Sequence, residues 1–354
     1  MNKKLLYPEV MRIIAIVAVC TQHVTSQALG ELEFWSPNWQ MIQAMHVLVQ
    51  WCVPLFLMVS GIFLLDPARE ITMKKIYRVY ISRMLLAIVI MVPVHEFVLN
   101  AVCEHQCIID WEFWKEILRT LLYSDGSAVY WYLYMMIGLY IYLPLYRALT
   151  RSLKDDEYLY LLIMIFIGIS CISRIHRLGI ESLEPIYIFF RKLKLHKMFR
   201  HGFYFMLGYY LSRHEIPAKL RYGIYGIAMV ALGISLHFTR NISIDNGKYV
   251  EVWTSDSSPA QVFAVIAIFA LIKQLAAKVK ENSCLYRIFM LLGSLSFGVY
   301  LIHNMIICIF RTYGFGGFMG NPLWAVPLVT ISVYVISVGI VFVLRKNQWF
   351  KSWM

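Results

Sequence analysis

The sequence predicts an all-α protein that crosses a membrane as a bundle of about ten helices. Of its 354 residues, 60% are hydrophobic and only 15% are charged, whereas soluble domains are nearer half apolar and a quarter charged. The apolar residues are gathered into runs of roughly 20, the length that crosses the bilayer core as a helix. These runs do not alternate apolar and polar residues as the strands of a membrane barrel do.

The predicted spans follow one another with short connections, so no separate soluble domain fits and residues 1–354 are expected to form a single transmembrane domain. The first run has a basic start, but it is longer than a signal-peptide core and lacks a small-x-small cleavage site. The sixth run is short and is expected to be tilted or buried. The ten spans are placed at 8–29, 44–65, 81–103, 128–147, 157–175, 199–212, 221–239, 259–277, 287–309 and 323–344.

The distribution of Lys and Arg predicts the orientation. Outside the segment 176–200, the predicted outer loops hold only a few basic residues: Lys115, Arg119, Arg240, Lys248 and Arg311. The excess in the inner loops predicts that both termini are in the cytoplasm. The membrane is expected to be the plasma (cytoplasmic) membrane. The basic segment 174–200 breaks this pattern. Either one span is miscounted, or the segment lines an outward-facing site for an anionic acceptor.

Two of the predicted connecting segments carry a recognisable pattern, one of amphipathic spacing and one of paired cysteines. Residues 110–122 place Trp and Leu at helical spacing among charged residues, which predicts an amphipathic helix at the membrane interface. Cys103 and Cys107 flank a polar turn, but no second group of ligand residues accompanies them, so no metal site is predicted.

The first span carries three residues that are unusual in a membrane. Arg12 and His23 are eleven residues apart, which puts them on one helix face about 16 Å from each other. Glu9 is one turn before Arg12 and can pair with it. Charged groups within a span favour a functional role. The alternatives are that Arg12 reaches to the cytoplasmic interface and that His23 is a structural hydrogen-bonding group.

The ninth span carries a polar stripe of Ser296, Tyr300 and His303, at spacings of four and three. Facing lipid, these side chains would have no partners, so they are expected to face the bundle interior. Hydrogen bonding between helices and direct participation in chemistry both remain open.

A basic connection follows the second span. It contains Lys75, Arg78 and Arg83 within ten residues that begin at Lys74. These cations could hold phosphates such as those of coenzyme A. They could equally serve only to orient the chain or to meet anionic lipid.

Five segments, in order and over nearly the whole chain, resemble the integral-membrane acyltransferase-3 family. Arg12 and His23 resemble its arginine–ten residues–histidine signature in the first helix. Four further segments resemble its later helices: Val53 to Gly61, Trp131 to Pro144, Phe205 to Leu211 and Leu295 to His303.

The resemblance implies a ten-helix O-acyltransferase. Such an enzyme moves an acyl group, usually acetyl, from cytoplasmic acetyl-CoA to a hydroxyl of an extracytoplasmic glycan or other envelope acceptor. No tightly bound cofactor and no nucleic acid are implied; the partners are acyl-CoA, the acceptor and membrane lipid. His23 carries over as the general base, because an imidazole titrates near neutrality. Arg12, with Glu9 beside it, carries over as its partner near the donor.

The other candidate residues carry over as substrate-binding groups: Lys75, Arg78, Arg83, Trp131, Ser296, Tyr300 and His303. Acetyl-CoA is expected near Arg12 and residues 74–83, and the acyl group near His23 at the moment of transfer. A long pantetheine arm or a covalent relay would bridge the distance between the donor site near Arg12 and His23.

Two alternatives to an acyltransferase remain open at this point. One is a transporter or flippase for a lipid-linked sugar, whose path the same polar residues would form. The other is an inactive envelope scaffold. The scaffold would fit two departures from the family pattern: many members have a His where this chain has Val129, and an Arg where it has Gln50.

Overall fold

The computed structural model describes residues 5–103, 109–123, 129–171, 174, 188, 200–281 and 283–354. Throughout these residues the regular structure is helical, with no strand. The helices are α1 (Leu6–Glu31), α2 (Pro37–Val49), α3 (Cys52–Leu64), α4 (Met73–Lys75), α5 (Ser82–Cys103), α6 (Trp111–Tyr123), α7 (Trp131–Ile141), α8 (Leu143–Ser152), α9 (Asp155–Phe166), α10 (Arg200–Arg213), α11 (Ala218–Asn246), α12 (Pro259–Ala277), α13 (Cys284–Thr312), α14 (Pro322–Leu344) and α15 (Gln348–Trp353).

Within the described residues, seven helical segments are long and apolar enough to cross a membrane. They are Leu6–Glu31, Pro37–Leu64, Met73–Val102, Ala218–Asn246, Pro259–Ala277, Cys284–Thr312 and Pro322–Leu344. The remaining three predicted spans correspond to shorter helices: α7 with α8, α9, and α10. The prediction of an all-α multi-pass membrane protein is confirmed.

The second predicted span differs from the structure at its start. It was placed at 44–65, but the helical chain begins at Pro37. Ser36 caps α2 by accepting a hydrogen bond from the Trp39 backbone N–H at 3.2 Å, and Pro37 occupies the first turn, where its missing N–H costs nothing. The helix is then interrupted at Gln50 and Trp51 before α3 begins.

The third predicted span, 81–103, also starts earlier. α4 passes directly into a π-helical stretch, Ile76–Ile81, which continues into α5. The basic connection is therefore helical and forms the beginning of this span. The predicted amphipathic helix is confirmed as α6, on which Trp111, Trp114 and Leu118 are exposed while Phe113 and Ile117 are buried.

The described chain divides into two compact units. Unit 1 takes its residues from Met1–Ala18, Glu33–Glu70 and Leu143–Gly293, and unit 2 from Val19–Leu32, Ile71–Tyr142 and Ser294–Met354. The chain of α1 thus begins in unit 1 and ends in unit 2. The expectation of a single domain stays a prediction.

The core of unit 1 contains a very close crossing of α3 and α10. A Cβ atom on Gly61 would lie 1.9 Å from the backbone oxygen of Phe205, and one on Gly208 would lie 2.2 Å from that of Met58. Only glycine allows two helix backbones to approach so closely, a common device in membrane bundles. Buried Arg147 donates to the backbone oxygen of Leu64 at the end of α3 (2.6 Å) and to that of Arg69 in the connection that follows (2.6 Å), and so satisfies an orphan carbonyl group of the helix.

Unit 2 contains the second half of α1, α5, α6, α7, most of α13, α14 and α15. Here α13 packs on α14 through Gly298, where a Cβ atom would lie 2.5 Å from a Val341 methyl carbon. α15 is attached to α5 by Arg83, which donates to the backbone oxygens of Trp353 at 2.7 Å and Met354 at 2.8 Å.

Most of the basic segment 174–200, and the turn that includes Cys107, lie outside the described residues. Two of its arginines are described. Arg174 donates to the Ser257 hydroxyl at 3.2 Å, and Arg200 is paired with Asp256 at 3.0 Å. Both flanks of the segment therefore lie on the same side of unit 1 as the connection between α11 and α12.

Candidate active site

The polar centre of unit 2 is a pair of histidines. His23, on the second half of α1, and His303, on α13, have ring centroids 5.2 Å apart with the rings inclined at 49°. His303 is fully buried, whereas His23 is half-buried. The sequence placed one histidine on each helix, and the structure brings the two side chains together.

The hydrogen bond of His303 determines which of its ring nitrogens carries the proton. Its Nδ1 lies 2.6 Å from the backbone oxygen of Tyr300. A carbonyl oxygen only accepts, so Nδ1 donates and Nε2 keeps its lone pair. Among the described residues this Nε2 is buried and has no hydrogen-bond partner. The site therefore contains a buried basic nitrogen beside a second imidazole.

Side chains at the start of α7 and in the segment that leads into it contact the same turn of α13. Tyr132 packs edge-on against Tyr300, with centroids 5.4 Å apart. The Tyr300 hydroxyl donates to the backbone oxygen of Val129, and the Tyr130 hydroxyl donates to that of Leu301 at 3.0 Å. Tyr300 is buried, as the sequence predicted, and its hydroxyl is used to hold α7 against α13. Ser296, one turn earlier on α13, is buried as well.

Glu9 and Arg12 lie in unit 1, where they form the predicted pair. Nη1 of Arg12 is 2.6 Å from Oε1 of Glu9, and the guanidinium lies 5.3 Å from the ring centre of Phe63. The Glu9 side chain packs on Gly293, where a Cβ atom would lie 2.5 Å from Oε2. Oε2 is buried and has no hydrogen-bond partner among the described residues.

The three predicted donor-side cations differ in their surroundings. Lys75 and Arg78 are exposed near the start of the third span. Arg83 is bonded to α15, as described above, and its guanidinium lies 4.7 Å from the ring centre of Phe297. Trp131 is 40% exposed at the start of α7, so its indole is accessible from outside the protein.

Sequence reasoning missed a third histidine in unit 2. His95 is 2% exposed and its Nε2 lies 3.1 Å from Nδ2 of Asn304, the residue after His303. One signal was present in the sequence: His95 and Glu96 are adjacent ionisable residues in the middle of an apolar span, where such groups favour a function.

The connection between α11 and α12 carries two carboxylates, Glu251 and Asp256, that lie outside the membrane-spanning segments. Burial by itself raises the pKa of Asp256, but the hydrogen bond from His201 and the charge of Arg200 outweigh it and lower the pKa to about 2. His46, whose Nε2 is 3.7 Å from Oε1 of Glu251, lowers the pKa of Glu251. Both carboxylates are therefore ionised at neutral pH and hold this connection in place.

A cavity of about 140 Å³ lies in unit 1 between the end of α10 and the last turns of α12. Lys273 lines it and is already paired with Glu215 at 2.8 Å, while it also donates to the backbone oxygen of Leu211 at 3.0 Å. This lysine therefore satisfies carbonyl groups at the end of α10.

The arrangement in unit 2 fits proton transfer, because an imidazole with a free lone pair lies beside a second, more accessible imidazole. A family model described as an acyltransferase domain matches residues 5–345, essentially the whole chain. The chain belongs to the acyltransferase-3 family. Neither the curated proteins nor the solved structures contain a match.

Membership of the acyltransferase-3 family makes the protein a membrane acyltransferase that transfers groups other than aminoacyl groups. This favours an enzyme over a transporter or a scaffold. The roles of the individual acyltransferase residues stay predictions.

Proposed function

We propose that the protein is an O-acyltransferase of the plasma membrane. It takes an acyl group, in the simplest case acetyl, from cytoplasmic acyl-CoA and transfers it to a hydroxyl of an extracytoplasmic glycan or other envelope acceptor. The observation that carries the proposal is the His23–His303 pair in a chain that belongs to an acyltransferase family. No tightly bound cofactor is needed, since acyl-CoA is consumed as a substrate.

In this proposal His23 is the general base and His303 orients it. His23 is the more accessible of the two, so it takes the proton from the acceptor hydroxyl as the hydroxyl oxygen attacks the thioester carbon. Nε2 of His303 accepts a hydrogen bond from the other ring nitrogen of His23 as the positive charge develops. Such contacts are often longer in a free enzyme than during reaction. The new ester forms, the C–S bond breaks, and the proton passes to the CoA thiolate.

The remaining candidates are proposed to bind the substrates. The exposed Lys75 and Arg78 provide cations for the phosphates of the donor, and Arg12, with Glu9, acts on the donor side. Arg83 can bind a phosphate only if it releases the backbone oxygens of Trp353 and Met354. The accessible indole of Trp131 and the polar stripe of Ser296 and Tyr300 are proposed to contact the acceptor.

The test follows an isotopic label from acetyl-CoA into envelope glycans, in membranes that contain the native acceptor. Wild-type membranes are expected to transfer the label. His23→Ala is expected to lower the rate by about 10²–10⁴-fold, the usual contribution of a general base. His303→Ala should also lower it, because the base loses its orienting partner.

His237→Ala is the control, since His237 is also a helical histidine but is exposed on α11, where it lies 3.1 Å from the amide of Asn241. This variant should transfer label as wild type does. Full transfer by well-expressed His23→Ala would show that His23 is not the base. Absence of transfer by wild type, with acceptor present, would contradict the proposed donor or acceptor.

A further inference from the structure

His95 is a buried ionisable residue in unit 2 to which the mechanism above gives no role. It lies on α5, two residues after Pro93. Proline has no N–H, so the backbone oxygen of Val89 loses its helical hydrogen bond and the helix is locally weakened. A histidine that is 2% exposed in such a place needs partners from neighbouring helices, because a membrane offers no water to replace them.

The partners of His95 come from two other helices. With the Asn304 amide donating to Nε2 at 3.1 Å, the imidazole carries its proton on Nδ1. Nδ1 lies 3.7 Å from Oε1 of Glu96. The ring also packs edge-on against Tyr130, with centroids 5.7 Å apart. The orientation of His95 is thus set by α13 on one side and by Tyr130, the residue before α7, on another.

Asn304 directly follows His303, so the bond to His95 acts on the turn of α13 that presents His303 to His23. The segment that leads into α7 holds the same turn, because the Tyr130 hydroxyl donates to the backbone oxygen of Leu301 and the Tyr300 hydroxyl donates to that of Val129. The His303 turn is therefore hydrogen-bonded on two sides, by α5 and by the segment that leads into α7.

We propose that His95 is a positioning residue for the acyl transfer. Its hydrogen bond with Asn304 holds the His303 turn so that the His303 ring stays against His23. This inference rests on the proposed function, because it concerns the geometry of the same histidine pair. His95 does not itself contact the substrate or exchange a proton with it.

Two substitutions separate the hydrogen bond of His95 from its imidazole. His95→Gln places an amide oxygen near the position of Nε2, so Asn304 keeps an acceptor, but no titrating ring remains. His95→Leu removes the acceptor. In the labelled acetyl-CoA assay with whole-chain protein in membranes, His95→Leu should lower kcat by about 10–100-fold, the size of effect that a small misplacement produces. The KM for acetyl-CoA should change by less than about twofold.

His95→Gln should retain kcat within about threefold of wild type, with the same pH profile. The double variant His95→Leu with Asn304→Leu should be no worse than His95→Leu alone, because both polar partners are then replaced. If His95→Leu alone fails to fold, the double variant replaces it in the assay, because it leaves no partly buried Asn304 amide without an acceptor.

His46→Leu in unit 1 is the matched control. His46 is also 2% exposed and lies 2.8 Å from an amide, that of Gln50, but it lies outside the histidine pair. It should retain the wild-type kcat, when protein amounts are equal. A wild-type kcat in His95→Leu would overturn the proposal. So would a His95→Gln variant as inactive as His95→Leu with an altered pH profile, because His95 would then act as a base. Failure of wild type itself to transfer label would instead overturn the proposed function.

Discussion

His303 and Asp256 are two polar residues whose neighbours determine what they can do. His303 is held in one tautomer by a backbone oxygen, which leaves a basic nitrogen inside an apolar bundle. Asp256 lies outside the membrane-spanning segments and is held ionised by His201 and Arg200, at 3.3 and 3.0 Å. The first residue is suited to chemistry, whereas the second links the connection between α11 and α12 to the start of α10.

Asp256→Asn should destabilise the protein at neutral pH. The pKa of Asp256 is lowered from 3.8 to about 2, which corresponds to about 2 kcal/mol of stability above pH 4. This stability is lost as the pH falls from about 4 to about 2, because the unfolded chain takes up the proton first. In detergent, the Tm of the variant should be a few degrees below wild type at pH 7, and the difference should shrink towards pH 2.

Asp245→Asn is the control, because Asp245 is exposed near the end of α11. Its Tm should follow that of wild type at every pH. Equal Tm values for wild type and Asp256→Asn at pH 7 would contradict the ion pairs described here.

At the scale of elements, the crossing of α3 and α10 is the contact with the least tolerance for change. Gly61 and Gly208 bring the two backbones together. No rotamer change can relieve the collision of an added methyl group with a backbone oxygen, so the helices themselves would have to separate.

Gly61→Ala and Gly208→Ala should each destabilise unit 1 by about 3 kcal/mol or more, at or above the upper end of the usual range for overpacking. The measurement is the amount of monodisperse protein in detergent and its Tm. Gly226→Ala on α11 is the matched control, since no neighbouring heavy atom lies within 4 Å of its Cβ position. It should be neutral or stabilising by about 0.5–1 kcal/mol. A Gly61→Ala variant as stable as Gly226→Ala would show that the crossing is looser than described.

For the whole molecule, the arrangement in the membrane follows from the long helices and the basic loops. α12, Pro259–Ala277, is one of the seven segments long and apolar enough to cross a membrane, so the connections before and after it are expected on opposite sides. The excess of Lys and Arg in the predicted inner loops favours the side of Lys280 as cytoplasmic.

This orientation can be tested by labelling single cysteines in a variant without the seven native cysteines, once its transfer activity is verified. Lys248→Cys should react with a membrane-impermeant maleimide in intact cells. Lys280→Cys should react only after the membrane is made permeable. The reverse pattern would invert the proposed orientation, and reaction of both from one side would show that α12 does not cross the membrane.

The sequence by itself determined the fold class and the position of most long helices. Predicted spans 259–277 and 323–344 agree closely with Pro259–Ala277 and Pro322–Leu344. The reason is local: the length of an apolar run and its flanking charges determine whether it can cross a bilayer, whatever it packs against. The same local reasoning identified His23 and His303 as unusual polar residues within spans.

Only the tertiary structure decided which of these residues meet. In it the rings of His23 and His303 lie side by side, His95 is hydrogen-bonded to Asn304, and Arg83 is hydrogen-bonded to the backbone of Trp353. The partners of these three side chains lie on other helices, because a bilayer core offers no water to take their place. The partner depends on how the helices pack, and helix packing is not encoded in any single apolar run.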